Sequence, residues 1–446
     1  MTTDLAELLR QVDPSVVGAR VRAAREVFAI PLSDLADAIG LDSAALDELE
    51  RGIRTPDLAL LSAVADATAT SAELLVTGLS RDVLADLHGD LDLAGFTLSS
   101  QDSSAARATA ERILEQLDAA GATAPHLDRA ARRLRAKALE ASGDLAEAID
   151  ELRRVSAVPV AEVAWVEDLI SLSRCYRETG QLSEAIAAGE EAQGTVRDLG
   201  LADTTEAIQL TVTTAFAHLV QGDIGHCARI CLKAAAHADQ LGLPSAKGAA
   251  LWNAAVAKQA AGDLSAALEL ATAALELLEP DGDSRRIGML RAQIASIRLD
   301  LEDSDPRVAL ELLALAGQEL EWAGAGAAEM ARLRLNTARA HYALGDDVAA
   351  LEVLDDSERL APADAVDVRA WQLSLRARIA ARARDVDGAL THLHAASRLL
   401  ATCQADAIIA LAWFRLGAAF EELGEQDLAG DAFLRACVAQ GLRSPP

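Results

Sequence analysis

Small and apolar positions recur along most of this chain with a period near forty residues, inside stretches whose apolar spacing is helical. Ala148, Ala185, Cys227, Ala267, Ala309, Ala350, Ala389 and Ala429 each stand five residues after a turn position, and successive members lie 37 to 42 residues apart. The turn is Gly143, Gly180, Gly222, Gly262, Gly345 or Gly424, with Ser304 and Arg384 in the remaining two units. Glycine suits the left-handed end of a helix, and where it is missing before Ala309 the Asp305-Pro306 pair takes over helix breaking. The small residue is required where the second helix of a hairpin crosses the first, because only a short side chain lets two backbones approach. The pattern therefore predicts an all-α solenoid of about eight stacked helical hairpins.

The first eighty residues follow a different rhythm. Leu35, Ala36, Ile39, Gly40, Leu41, Leu46 and Leu49 have the short helical spacing and tight turn of two helices in contact, a helix-turn-helix. Between the two patterns, Asp82 to Ser104 is polar and mixed and reads as a linker, with Ser104 placed to cap a helix beginning at Ala105. The expected organisation is a helix-turn-helix domain over residues 1–80, a linker over 81–104 and a repeat domain over 105–446.

Composition narrows the partners. The net charge of −28 opposes broad contact with a phosphate backbone, so any nucleic-acid contact is local. No run of eighteen residues is free of charge and no basic, then apolar, leader opens the chain. A soluble cytoplasmic protein without a membrane partner is expected. Cys175, Cys227, Cys231, Cys403 and Cys437 form no metal-binding spacing and are expected as reduced core thiols. Neither His218 with His226 nor His392 with His394 makes a metal pair, and no phosphate-binding loop, nucleophile elbow or Cys-His signature is present. No catalytic residue, metal or cofactor is expected, and the chain reads as a binding protein rather than an enzyme.

Trp413, Leu416, Gly417, Phe420, Gly424, Ala429, Phe433 and Ala436 stand at the spacing of the tetratricopeptide repeat, which the last unit closely resembles. The segment from Val17 to Leu75 resembles the lambda-repressor-like (Xre) DNA-binding domains, with Arg20-Val21-Arg22 in a first helix, Leu35-Ala36 in a second and Leu49-Glu50-Arg51-Gly52 closing a third. That resemblance implies a third helix, Ser43 to Arg51, entering the major groove of double-stranded DNA. Its surface is poor in base readers: Asp42, Ala44, Ala45, Asp47 and Glu48 leave Ser43 as the one candidate, and Arg20, Arg22, Arg25, Arg51 and Arg54 as candidate phosphate contacts. Ser15 to Ser80 carries five arginines against ten carboxylates, so a module that docks protein and never touches DNA is the competing reading.

The combination resembles the bacterial peptide-responsive regulators called the RRNPP group, which implies a homodimer that binds a peptide or protein in the groove of its repeats. First helices of each hairpin line such a groove. The chain's two asparagines, Asn253 and Asn336, both stand nine residues before a turn glycine, the offset at which repeats of this family clamp a peptide backbone. Arg174, Arg298, Arg339 and Arg378 lie six residues before the turn position, and Arg291 and Arg332 thirteen before it. On a helix these offsets share one face, which predicts a basic, amide-bearing strip suited to carboxylates, or else a set of ion pairs between repeats. Trp252 and Trp371 border this groove or pack in the core. Two functions follow: a ligand-responsive transcriptional regulator, or a cytoplasmic adaptor whose amino-terminal module makes protein contacts.

Overall fold

A computed structural model describes residues 5–99, 102–403 and 405–440. All regular structure among the described residues is helical, and it divides into two compact units that meet in sequence at Val158 and Pro159.

In the first unit, α1 (Leu5–Gln11), α2 (Pro14–Val27), α3 (Leu32–Ala38), α4 (Ser43–Glu50), α5 (Leu58–Ala67) and α6 (Ala72–Thr77) enclose one core around Val17, Val21, Leu35, Leu46, Leu49 and Leu61. Aspartates start the helices that matter most. The Asp42 carboxylate accepts from the Ala45 amide at 2.7 Å and opens α4, and Asp57 does the same for α5 through Leu60 at 2.7 Å. Each such cap stabilises by about 1 kcal/mol. Gly18 on α2 faces the carbonyl oxygens of Leu49 and Glu50, so a β-carbon there would collide with the end of α4.

The remaining helices of this unit are α7 (Arg81–Ser99), α8 (Ser103–Ala119), α9 (Pro125–Ser142) and α10 (Leu145–Ser156). The expected linker is thus mostly α7, a helix of 19 residues. Leu87 and Ala94 are buried on α7, and Leu84, Leu91 and Leu98 pack partly buried beside them against α8 and α9. Those five side chains recur every three or four residues, which is an apolar helical stripe set between aspartates. The cap of α8 also differs from expectation: Asp102 accepts from the Ala105 amide, and Ser104 lies inside the helix. Ser100 and Gln101 of the expected linker fall outside the described residues.

In the second unit each hairpin pairs a first helix with a second: α11 (Val163–Glu178) with α12 (Leu182–Asp198), α13 (Thr205–Gln221) with α14 (Ile224–Gln240), α15 (Pro244–Ala260) with α16 (Leu264–Leu278), and α17 (Ser284–Asp300) with α18 (Pro306–Trp322). The series continues with α19 (Ala327–Ala343) and α20 (Asp347–Leu360), α21 (Val366–Arg382) and α22 (Val386–Leu400), and α23 (Ala407–Glu422) and α24 (Gln426–Ala439). The second unit is thus an all-α stack of seven hairpins of tetratricopeptide type, and the first unit holds the eighth hairpin that the spacing predicts, α9 with α10. The recurring small residue is fully buried from Ala148 through Ala389, and Ala429 is 2% exposed. First helices also pack on one another, α11 on α13, α13 on α15, α17 on α19, α19 on α21 and α21 on α23, and Trp252 of α15 bonds to Gln293 of α17, so they form an inner wall. The last hairpin returns to the early ones: α23 touches α13, and Gln440 lies against Gly222.

Turn residues behave as their chemistry requires. The six turn glycines hold φ between 76° and 107°, and Arg384 holds 64° without the freedom of glycine. Left-handed backbone costs an ordinary residue about 1–2 kcal/mol. Arg384→Gly is therefore expected to raise the unfolding free energy of the second unit by about 0.5–1 kcal/mol, after the entropy that glycine adds to the unfolded chain. Urea unfolding followed by circular dichroism measures it, and an unchanged or lower midpoint contradicts the assignment of strain to this turn.

Candidate functional site

Four first helices bring their inner faces to one cavity of about 310 Å³. Asp300 from α17, Arg339 and Tyr342 from α19, Trp371 and Arg378 from α21, and Arg415 from α23 line it. A space of this size is at the lower end of small-ligand sites. Three guanidiniums surround a single carboxylate. Asp300 receives Arg339 Nη2 at 2.5 Å on one oxygen, and on the other Arg415 Nη2 at 3.0 Å and the Gln259 amide at 3.4 Å. Arg378 pairs at 2.9 Å with Glu422, which is exposed and outside the lining. Arg415 lies over the Trp371 ring, 4.5 Å from its centre. Burial pushes the Arg415 pKa down; Asp300 opposes the shift, and the charges of Arg339 and Arg378 add to it.

A line of amides leads into this cavity along the inner wall. Trp252 Nε1 donates to Gln293 at 2.8 Å, Gln293 donates to Gln259 at 3.2 Å, and Gln259 reaches Asp300. Trp252 therefore belongs to the polar wall, and Trp371 to the cavity itself. The Trp371 Nε1 is buried and has no hydrogen-bond partner among the described residues.

The expected groove residues divide into three groups. Arg339 and Arg378 line the cavity. Asn336 is 5% exposed and accepts from Arg339 Nη1 at 2.9 Å, so it positions that guanidinium and does not face solvent as a peptide clamp must. The others lie outside the lining. Asn253 folds back on the Ala249 carbonyl at 2.9 Å, and Arg174 donates to the Ser171 hydroxyl. Arg291 is held by Glu279 at 2.6 Å and by Glu319, and Arg332 by Asp367 at 2.9 Å. These two, like Arg339 with Asp300 and Arg378 with Glu422, are ion pairs between neighbouring elements, the alternative that the sequence left open. Arg298 keeps its Nε buried without a hydrogen-bond partner among the described residues. Arg415, missing from the expected set, stands nine residues before Gly424, the offset already occupied by Asn253 and Asn336.

The amino-terminal module needs a correction of the same kind. Arg20 donates to the Val76 carbonyl at 2.5 Å and the Gly121 carbonyl at 2.7 Å, and burial lowers its pKa. Arg25 forks onto Glu50, Nε at 2.6 Å and Nη2 at 2.9 Å, and donates to the Ile30 carbonyl. The Glu50 bond raises the Arg25 pKa. Both arginines hold α2 to its surroundings and are not free for phosphate. Arg22 pairs with Glu26 at 2.8 Å and Arg51 with Asp47 at 3.4 Å, all four being well exposed. Arg54 is exposed, and Ser43 stands exposed in the first turn of α4.

Among the described residues no group of histidine, cysteine and carboxylate side chains has the form of a metal site, and no helix is long and apolar enough to cross a membrane. None of the five cysteines is in a disulfide; Cys175, Cys227 and Cys231 are core thiols, Cys403 is half-buried, and Cys437 is exposed rather than in the core.

Fold and cavity together define an all-α repeat protein of tetratricopeptide type with a basic inner-wall cavity. No protein-family profile matches the chain, and no curated protein matches it. A Rap protein complexed with competence and sporulation factor shares its fold, with a TM-score of 0.54 at 12% identity over 80% of this chain and 98% of the Rap chain. NprR in complex with its cognate peptide NprX matches 80% of this chain and 90% of its own at 15% identity and a TM-score of 0.47. Bacillus thuringiensis PlcR in complex with the peptide PapR7 and DNA matches 64% of this chain and 99% of its own at 11% identity and a TM-score of 0.38.

The positioning role of Asn336 has a measurable consequence. Asn336→Ala leaves Arg339 short of one buried acceptor and is expected to cost about 1–2 kcal/mol. Asn253→Ala removes only a bond to its own helix and is expected to stay within about 0.5 kcal/mol. Equal effects of the two in chemical unfolding contradict this distinction.

Proposed function

We propose that this chain is a DNA-binding transcriptional regulator whose repeat domain takes up a peptide or protein ligand in the Arg339–Arg378–Arg415 cavity and thereby controls its amino-terminal module. The observation that carries this reading is the convergence of three guanidiniums and two aromatic rings on the inner wall of a chain with net charge −28. The three guanidiniums share only the Asp300 and Glu422 carboxylates among the described residues, and a ligand carboxylate meets a guanidinium fork with two parallel bonds. The Rap protein of similar fold was solved with a bound factor, which supports a ligand role for the repeats. The protein acts by binding and not by catalysis, and it works as a cytoplasmic homodimer, so that two copies of α4 meet two half-sites.

DNA contact falls to the exposed end of α4. Ser43 stands in its first turn, where base edges are read, and Arg51 and Arg54 flank its last turn for phosphate contact. An adaptor without DNA is the second reading, favoured by one observation: Val27, Phe28 and Ile53 are 77%, 51% and 62% exposed on the same module, apolar surface that a protein partner could cover.

Selection of bound fragments from the genome of the producing organism, at low and at physiological salt, separates the two. The full-length protein is expected to recover an inverted repeat, and the double variant R51A/R54A to lose it with a shallower dependence on salt. Enrichment of no sequence at either salt supports the adaptor, and enrichment unaffected by the double variant removes these arginines from the interface.

A further inference from the structure

Asp300 is out of place by elementary electrostatics. It is the last residue of α17, where the exposed carbonyls carry the negative end of the helix dipole and a cation is favoured. α17 also ends early: the other first helices of the middle repeats run to within two residues of the turn position, whereas this one stops at Asp300, four before Ser304. That early end belongs to one of the two hairpins without a turn glycine, and Asp300 stands in the middle of the arginine cluster. The carboxylate is only 18% exposed, and its contact with Arg415 spans 115 residues of sequence, from α17 across α19 and α21 to α23.

The two oxygens of Asp300 accept from two guanidiniums, the arrangement that a ligand carboxylate adopts on paired arginines. Around it the lining still has unused capacity. Among the described residues Arg378 is tied only to an exposed glutamate, and the Trp371 indole N–H has no hydrogen-bond partner. Resting on the reading of this cavity as the ligand site, we infer that Asp300 is an internal stand-in for the ligand: the ligand carries a carboxylate that displaces Asp300 from Arg339 and Arg415 and is completed by Arg378. Binding of that carboxylate breaks the Asp300–Arg415 contact and so loosens α23 from α17. Asp300 is thus both a competitor of the ligand and a clasp of the empty cavity, and its removal strengthens anion binding where removal of an ordinary structural ion pair weakens it.

The test compares two blocked tetrapeptides, acetyl-Gly-Gly-Asp-Gly-amide and its Asn counterpart, by titration calorimetry on the full chain, with circular dichroism to confirm that each variant is folded. The Asp peptide is expected to bind Asp300→Asn at least ten-fold more tightly than it binds the unaltered protein. The Asn peptide is expected to gain nothing, and Asp300→Glu to restore weak binding. Arg378→Gln, which leaves the clasp intact, is expected to weaken the Asp peptide about ten-fold and keeps the question answerable if Asp300→Asn does not fold. Binding of the Asp peptide that is equal or weaker in Asp300→Asn overturns the stand-in role while leaving the cavity a ligand site. Binding to none of these proteins, or binding indifferent to Asn for Asp, overturns the carboxylate site and with it the proposed sensing role of this cavity.

Discussion

Close approach of two backbones at every hairpin crossing is the constraint on which the rest of the molecule depends. The crossing residue is alanine or cysteine in all eight hairpins and is essentially without solvent exposure, and a larger side chain at any of them separates the helices by more than a packed interior tolerates. Aromatic residues are only 3% of the chain, so no large ring fills the gap that a longer crossing distance leaves. Tight crossings fix the pitch of the stack. First helices then lie side by side as an inner wall, and a given offset before the turn recurs at a given height on that wall.

The cavity is a consequence of that geometry. Arg339 and Arg378 occupy one offset, Asn336 and Arg415 another, and the stack brings them within reach of one another from three successive hairpins. Curvature does the remainder: α23 returns to contact α13, and Arg415 reaches Asp300 across two intervening first helices. The same low exposure that strengthens each contact makes an unpaired guanidinium costly, which is why Asn336, Ser296 and Asp300 are all engaged with Arg339.

Much of this was legible in sequence because solenoid contacts are local. Period, turn positions and crossing residues all act within forty residues, and the structure places each crossing residue, and every turn but that after α17, where the spacing puts it. Three things were not. α7 hid its apolar stripe, Leu84, Leu87, Leu91, Ala94 and Leu98, among aspartates, so overall polarity concealed a helical period. Arg20 and Arg25 looked like phosphate contacts because a cation's sign is visible in sequence, whereas the carbonyls and the Glu50 carboxylate that capture them are not. Asp300 is not legible because its value comes from Arg415, 115 residues away, and no offset within one repeat reports a contact between repeats. Arg415 itself shares the offset of the two asparagines, a signal that position carries and residue type hides.

Peptide occupancy of the inner wall is most directly tested by hydrogen–deuterium exchange of the full-length chain, alone and with the peptide fraction of the medium in which the producing organism grows. A ligand seated among Arg339, Arg378 and Arg415 is expected to change exchange in α19, α21 and α23 and at the end of α17, while α14 and α16 stay as they were. Changes confined to other helices, from a fraction that does bind the protein, contradict the placement of the ligand site in this cavity.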